Sequence, residues 1–125
     1  MDFSNLNTRA PAEVGAFCHF RHPATGRQMM DDGKPVGAMV RGLESKSVTD
    51  AVKASSKAGL TGEDAGMTMA AALIISFVNV ERDGKPLPAT EEGIRWLFDL
   101  SGSFEEQILA FARDRANFFD AKSAA

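Results

Sequence analysis

Cys18, His19 and His22 hold the greatest chemical potential in the chain, because a thiolate and two imidazoles close in sequence are soft ligands suited to zinc. A closed structural site needs four donors, and the chain has one Cys and two His in all, so carboxylates would have to complete it. On an extended strand Cys18 and His22 share a face while His19 points away, which breaks the set apart. The same alternation separates Cys18 from His19 as nucleophile and base, and no third orienting group is placed. The three residues are read as strand packing and turn polarity, with a small metalloenzyme as the remote alternative. The carboxylate pairs Asp31-Asp32, Glu91-Glu92 and Glu105-Glu106 are the right types for acid–base work. The latter two pairs fall where helix N-termini attract negative charge for structural reasons. Gly59, Gly62 and Gly66 match neither the Walker nor the dinucleotide spacing, so no phosphate cradle is expected. No catalytic residue, metal ligand or cofactor is assigned, and a non-enzymatic protein is expected.

What could position such groups is bounded by size and composition. The 125 residues fit one domain with one core. Hydrophobic residues at 44% and charged residues at 25% are too balanced for disorder. Fourteen Lys and Arg against 17 Asp and Glu give a net charge of −3, a poor footprint for nucleic acid. The most apolar stretch, Met67 to Val80, is interrupted by Thr68, Ser76 and Asn79 and falls short of the roughly 18 to 20 residues that span a bilayer. A single cysteine forms no internal disulfide, and MDFSNLNTRA lacks the order of a secretion signal, so a cytoplasmic address and no membrane partner are expected.

The pattern along the chain predicts an α+β fold, mainly α: a short N-terminal β-hairpin or three-stranded sheet, then about four helices. Residues 1–13 mix polar residues and Pro11 without period and read as a flexible arm. Residues 14–43 read as the strand-rich part, with candidate strands at Phe17–Arg21, Arg27–Met30 and Val36–Arg41. Turns fall at Pro23–Gly26 and at Asp32-Gly33-Lys34-Pro35. Asp-Gly-Lys-Pro recurs at Asp83, and both copies read as turns rather than as an internal repeat.

Residues 47–119 read as helical. Ser47 with Asp50 predicts a capped helix ending near Ala58, with Gly59 as its left-handed stop. Thr61 with Asp64 predicts a core helix from Ala65 to Val78, carrying Ala70, Leu73, Ile74, Phe77 and Val78 at helical spacing. Thr90 caps Glu91 to Leu100, and Gly102 stops that helix. Ser103 with Glu106 opens a last helix to about Phe119, on which Phe104, Ile108, Phe111, Ala112 and Phe119 line one side. Residues 120–125 read as a flexible tail.

Nine Phe, one Trp and six Met in a short chain leave more large apolar groups than one small core absorbs. Ile94, Leu97 and Phe98 share a helix face from whose centre Trp96 is displaced, and Phe118 and Phe119 cannot both point into one core. Surplus groups of this kind are commonly hidden against a partner or a second copy, so self-association is expected. Residues 1–60 carry a net +2 and residues 61–125 a net −5. Ends of opposite sign permit head-to-tail docking into rings or open helices.

One stretch carries a family likeness. Residues 71–88, AALIISFVNVERDGKPLP, followed by Thr90-Glu91-Glu92 and Ile94-Arg95-Trp96-Leu97-Phe98, resemble the tail assembly chaperones of long-tailed, lambdoid siphovirus-like phages and prophages. In that family an apolar helix ends in an aromatic and an Asn-Val step, a Gly-Lys-Pro-Leu-Pro turn follows, and a capped helix comes next. Phe77 stands where many relatives have Trp. Upstream, Val36 to Ser45 is similar to the family's strand leading into its first helix. The resemblance implies a homo-oligomer that coats the tape measure protein and keeps it soluble until the tail tube polymerises. It also implies a host-cytoplasmic protein that is not kept in the mature virion. In such families a longer form, made by frameshifting near the end of the short one, recruits the major tail protein; this chain, stopping just past Lys122, would be the short form. Apolar helix faces around Phe77, Trp96, Phe98, Phe111, Phe118 and Phe119 are the expected partner-binding residues. A head-tail joining subunit or another small phage adaptor is the alternative.

Overall fold

The chain folds as α+β, mainly α, in a computed structural model that describes residues 1–119. A short 3-10 turn at Ser4–Leu6 precedes α1 (Arg9–Val14) and β1 (Ala16–His19). A hairpin of β2 (Met30–Asp31) and β3 (Lys34–Pro35) leads to β4 (Gly37–Val40), then to α2 (Lys46–Lys57) and α3 (Gly62–Leu73). Strand β5 (Ile74–Val78) and a second hairpin, β6 (Glu81–Arg82) with β7 (Lys85–Pro86), precede α4 (Glu91–Leu100) and α5 (Gly102–Arg113). A 3-10 turn at Arg115–Asn117 follows, and the expected tail lies outside the described residues.

The main sheet has the order β1-β4-β5, antiparallel throughout. Its third strand corrects the sequence-based expectation twice. The segment Arg27–Met30 does not join the main sheet; it meets the chain around Phe20 through the Met29 N–H to Phe20 carbonyl bond and an isolated Arg21–Gln28 bridge. The missing strand comes from the second half of the expected core helix, which stops at Leu73. Ile74, Ile75, Phe77 and Val78 are β-branched or aromatic and suit a pleated surface. The edge of β4, more than thirty residues earlier, supplies the backbone partners that decide the outcome. The register slips between Met39 and Val40, leaving Ile75 as the extra residue. Asn79, at φ 57°, turns the chain out of the sheet.

Both Asp-Gly-Lys-Pro copies are turns, and they are built alike. Asp32-Gly33 and Asp83-Gly84 have positive φ at both residues, the type I′ geometry that matches strand twist. Met29 with Val36 and Val80 with Leu87 close the two hairpins through the same backbone bond.

The segment expected as an irregular arm contains α1, whose Ala12 is buried and whose carbonyl accepts from Gly42 N–H at 3.0 Å. Glu13 locks it to the start of α2: it accepts from Ser47 N–H at 2.7 Å and Ser47 Oγ at 2.6 Å, and pairs with Arg41 Nε at 3.1 Å. With Ser47 so engaged, Ser45 caps α2 two residues earlier than expected, accepting from Val48 N–H. Gly59, at φ 71°, ends α2 as expected, with Gly59 N–H bonded to Ser56 and Leu60 N–H to Ser55. Thr90 caps α4 as predicted. Ser101, not Ser103, caps α5, and Gly102 is its first residue rather than the stop of α4. Helix α5 ends at Arg113 instead of near Phe119, because Asp114 turns extended and its carboxylate caps the next turn through Ala116 N–H.

The core lies between the sheet and the helices. Cys18, Ala38, Val40 and Ile74 from the sheet meet Val48, Met67, Leu73, Ile94, Leu97, Phe104 and Ile108. No helix among the described residues is long and apolar enough to cross a membrane.

Candidate partner-binding groove

The residues first weighed for chemistry are each occupied by structure. Cys18 is 3% exposed and faces the core, and burial pushes its thiol up to about 11. A thiol so held is a poor nucleophile and a poor metal ligand. His19 lies on the opposite side of the strand, where Nε2–H donates to the Met29 carbonyl at 2.8 Å. His22 Nδ1 accepts from the Ala24 and Thr25 N–H groups at 3.1 and 3.3 Å and so shapes the turn that follows. No group of three or more His, Cys, Asp or Glu among the described residues is arranged to hold a metal ion.

A groove of about 490 Å³ lies between the two Asp-Gly hairpins and the C-terminal half of α4. Its volume falls within the roughly 300–1,000 Å³ typical of pockets that bury a ligand. Phe20, Val36, Leu97 and Phe104, all buried, form its floor. Met29, Met30, Val80, Trp96 and Leu100 form its apolar walls, and Met30 and Leu100 stand 54% and 60% exposed. Arg27, Asp31 and Glu81 bring charge to the lining.

Each wall is fixed locally. The Gln107 side-chain amide clamps the outer loop: its oxygen accepts from Arg21 N–H at 2.7 Å and its nitrogen donates to the Arg21 carbonyl at 2.9 Å. The two hairpins are tied to each other where Asn79 Nδ2 donates to the Pro35 carbonyl at 2.8 Å. Trp96 is steadied by the Arg82 guanidinium, 5.2 Å from the ring centroid, which Glu92 holds at 2.6 Å. On α4, Trp96, Leu97 and Leu100 follow the i, i+1, i+4 spacing of one helix side.

Of the six aromatics expected to bind a partner, only Trp96 lines this groove. Phe98, two positions along α4, lines a separate cavity of about 260 Å³ with Met67 and Arg95. Phe77 lies on β5 opposite Ala38 and packs half-buried on the core. Phe111 and Phe118 meet edge to face at 5.4 Å, and Phe119 follows, half-buried. The six therefore form no single continuous face. Met29, Met30 and Leu100 were missed. Leu100 was signalled by its position four residues after Trp96, whereas nothing local to Met29-Met30 announces that a second hairpin will face them.

Comparison of this chain with protein families, with curated proteins and with solved structures finds no match.

Proposed function

We propose that the chain is a non-enzymatic assembly chaperone of the phage-tail type. It self-associates, covers the apolar stripes of a long helical client, the tape measure protein, and releases it as the tail tube polymerises. The observation that carries this reading is the open groove walled by Met29, Met30, Trp96 and Leu100. A groove of this size does not swallow a helix about 10 Å across, but it takes the anchor side chains that an amphipathic helix presents at i, i+3, i+4 and i+7. Methionine walls adapt to non-identical anchors, which a client with many different sites requires. Trp96 supplies a rigid aromatic of the kind that dominates binding energy at interfaces. The resemblance of residues 71–98 to tail assembly chaperones names the client; the groove explains how such a client would be held.

Co-expression tests the reading. The tape measure protein should be soluble with the wild-type chain and should partition to the pellet with a Met30→Glu, Leu100→Glu variant, whose changes lie at exposed positions and leave the core intact. Equal solubility with both would contradict it. Detection of the chain in mature virions would instead favour a joining subunit, because a chaperone departs.

A further inference from the structure

We infer that Arg82 is the positioning residue of the groove: it fixes the Trp96 indole before a client arrives, and so sets how tightly the client is held while adding little to the stability of the fold. The inference rests on the reading of the groove as the client's site. Arg82 closes β6, pairs across the hairpin with Lys85 and precedes the Asp83-Gly84 turn, so its backbone is held by the second hairpin. Helix α4 presents Glu92 and Trp96 one turn apart on the same side. A guanidinium that reaches Glu92 is therefore brought over the indole. Both contacts are present: Arg82 Nη1 donates to Glu92 Oε1 at 2.6 Å, and Arg82 Cζ lies 5.2 Å from the ring centroid. Trp96 lines the groove and Arg82 does not, so the cation backs the ring from outside the recess and leaves the groove side to the client.

Folding stability is a poor explanation for this arrangement. The Arg82 and Glu92 side chains are 39% and 74% exposed, and an ion pair so solvated contributes little to the fold. Its effect falls on the ring instead. A tryptophan on a groove wall with nothing behind it keeps several rotamers and must be ordered when a client docks, which weakens binding. Here the planar guanidinium stacks on the indole and is itself oriented by the Glu92 carboxylate, so the ring is ordered already in the free chain. A lysine at this position would keep the charge beside Glu92 but would offer the indole no flat surface.

The chain has one Trp and no Tyr, so the indole band in near-ultraviolet circular dichroism reads Trp96 alone. The test combines that band on the full chain with urea denaturation and with the affinity for a labelled amphipathic helical peptide carrying leucine at i, i+3, i+4 and i+7. Arg82→Gln and Arg82→Lys should both unfold close to the wild-type urea midpoint and lose most of the indole band. Each should bind the peptide about three- to tenfold more weakly, the loss expected when one large side chain has to be ordered on binding. Glu92→Gln should move the band and the affinity in the same direction and by less. An Arg82→Gln variant that binds the peptide as tightly as wild type overturns the inference, as does an indole band that survives the change. So does a large fall in the urea midpoint, which would assign Arg82 to the fold, or recovery of band and affinity in Arg82→Lys, which would show that charge alone suffices. A wild type that binds no peptide contradicts the groove as the client's site instead, and the indole band still decides whether Arg82 orders the ring.

Discussion

Cys18 pairs with Ala38 and His19 with Gly37 across β1 and β4, and the behaviour of Cys18 and Gly37 is explained by what surrounds each. Burial raises the Cys18 thiol to about 11, so at neutral pH little thiolate exists. Labelling by a thiol reagent should therefore be slow in the native protein and become fast only in denaturant; rapid native labelling would contradict the buried placement. At Gly37 a Cβ would collide with the Cys18 carbonyl oxygen, and the Phe17 ring lies over the vacant position at 2.9 Å. Gly37→Ala should cost about 2 kcal/mol or more in urea denaturation, as forced overpacking does. Glu13 carries a pH signature. The Ser47 hydrogen bonds, with Arg41 beside them, hold its carboxyl below the ordinary carboxylate range. A depressed folded-state value adds stability above the unfolded value, and this is lost as pH falls through the folded one. Glu13→Gln should thus be less stable than wild type at pH 7, with the difference closing as pH falls below the ordinary carboxylate range; a gap that is constant with pH would contradict the assignment.

At the scale of elements, what was legible followed local chemistry. The Asp-Gly pairs at 32 and 83 specify type I′ turns because both residues tolerate positive φ, and the Thr90 hydroxyl fixes where α4 starts. The third strand was not legible, since Leu73 to Val78 satisfies a helical period and a buried strand equally until β4 presents its edge. Helix α5 was overextended for a similar reason: the apolar spacing continues past Arg113, but the Asp114 carboxylate prefers to cap a new turn. Asn79 shows how the elements cooperate. Its left-handed backbone ends β5, and its amide joins the hairpins that wall the groove. Asn79→Ala gives up both and should cost about 1 to 2 kcal/mol in thermal or urea denaturation. Gly84→Ala, at φ 80° with open space around it, should cost only about 1 kcal/mol. If Asn79→Ala cost no more than Gly84→Ala, the link between hairpins would carry no energy.

Taken as a whole, the molecule sets α1 and the groove at opposite ends of the main sheet: Ala12 and Glu13 bond to Gly42 and Ser47, after β4, whereas the groove is lined by Val36, before it. The aromatics expected to bind a partner lie in separate places, because Trp96 and Phe98 diverge around α4 and Phe111 packs edge to face on Phe118. The groove was found only once two hairpins distant in sequence closed on one helix. Its lone tryptophan also makes it directly observable. Titration of an amphipathic helical peptide, with leucine at i, i+3, i+4 and i+7 in the manner of a tape-measure segment, should shift Trp96 emission to the blue in a saturable way, and Met30→Glu, Leu100→Glu should abolish the shift. An emission spectrum unmoved by the peptide, or moved equally in that variant, would contradict the claim that this groove is where the chain holds its client.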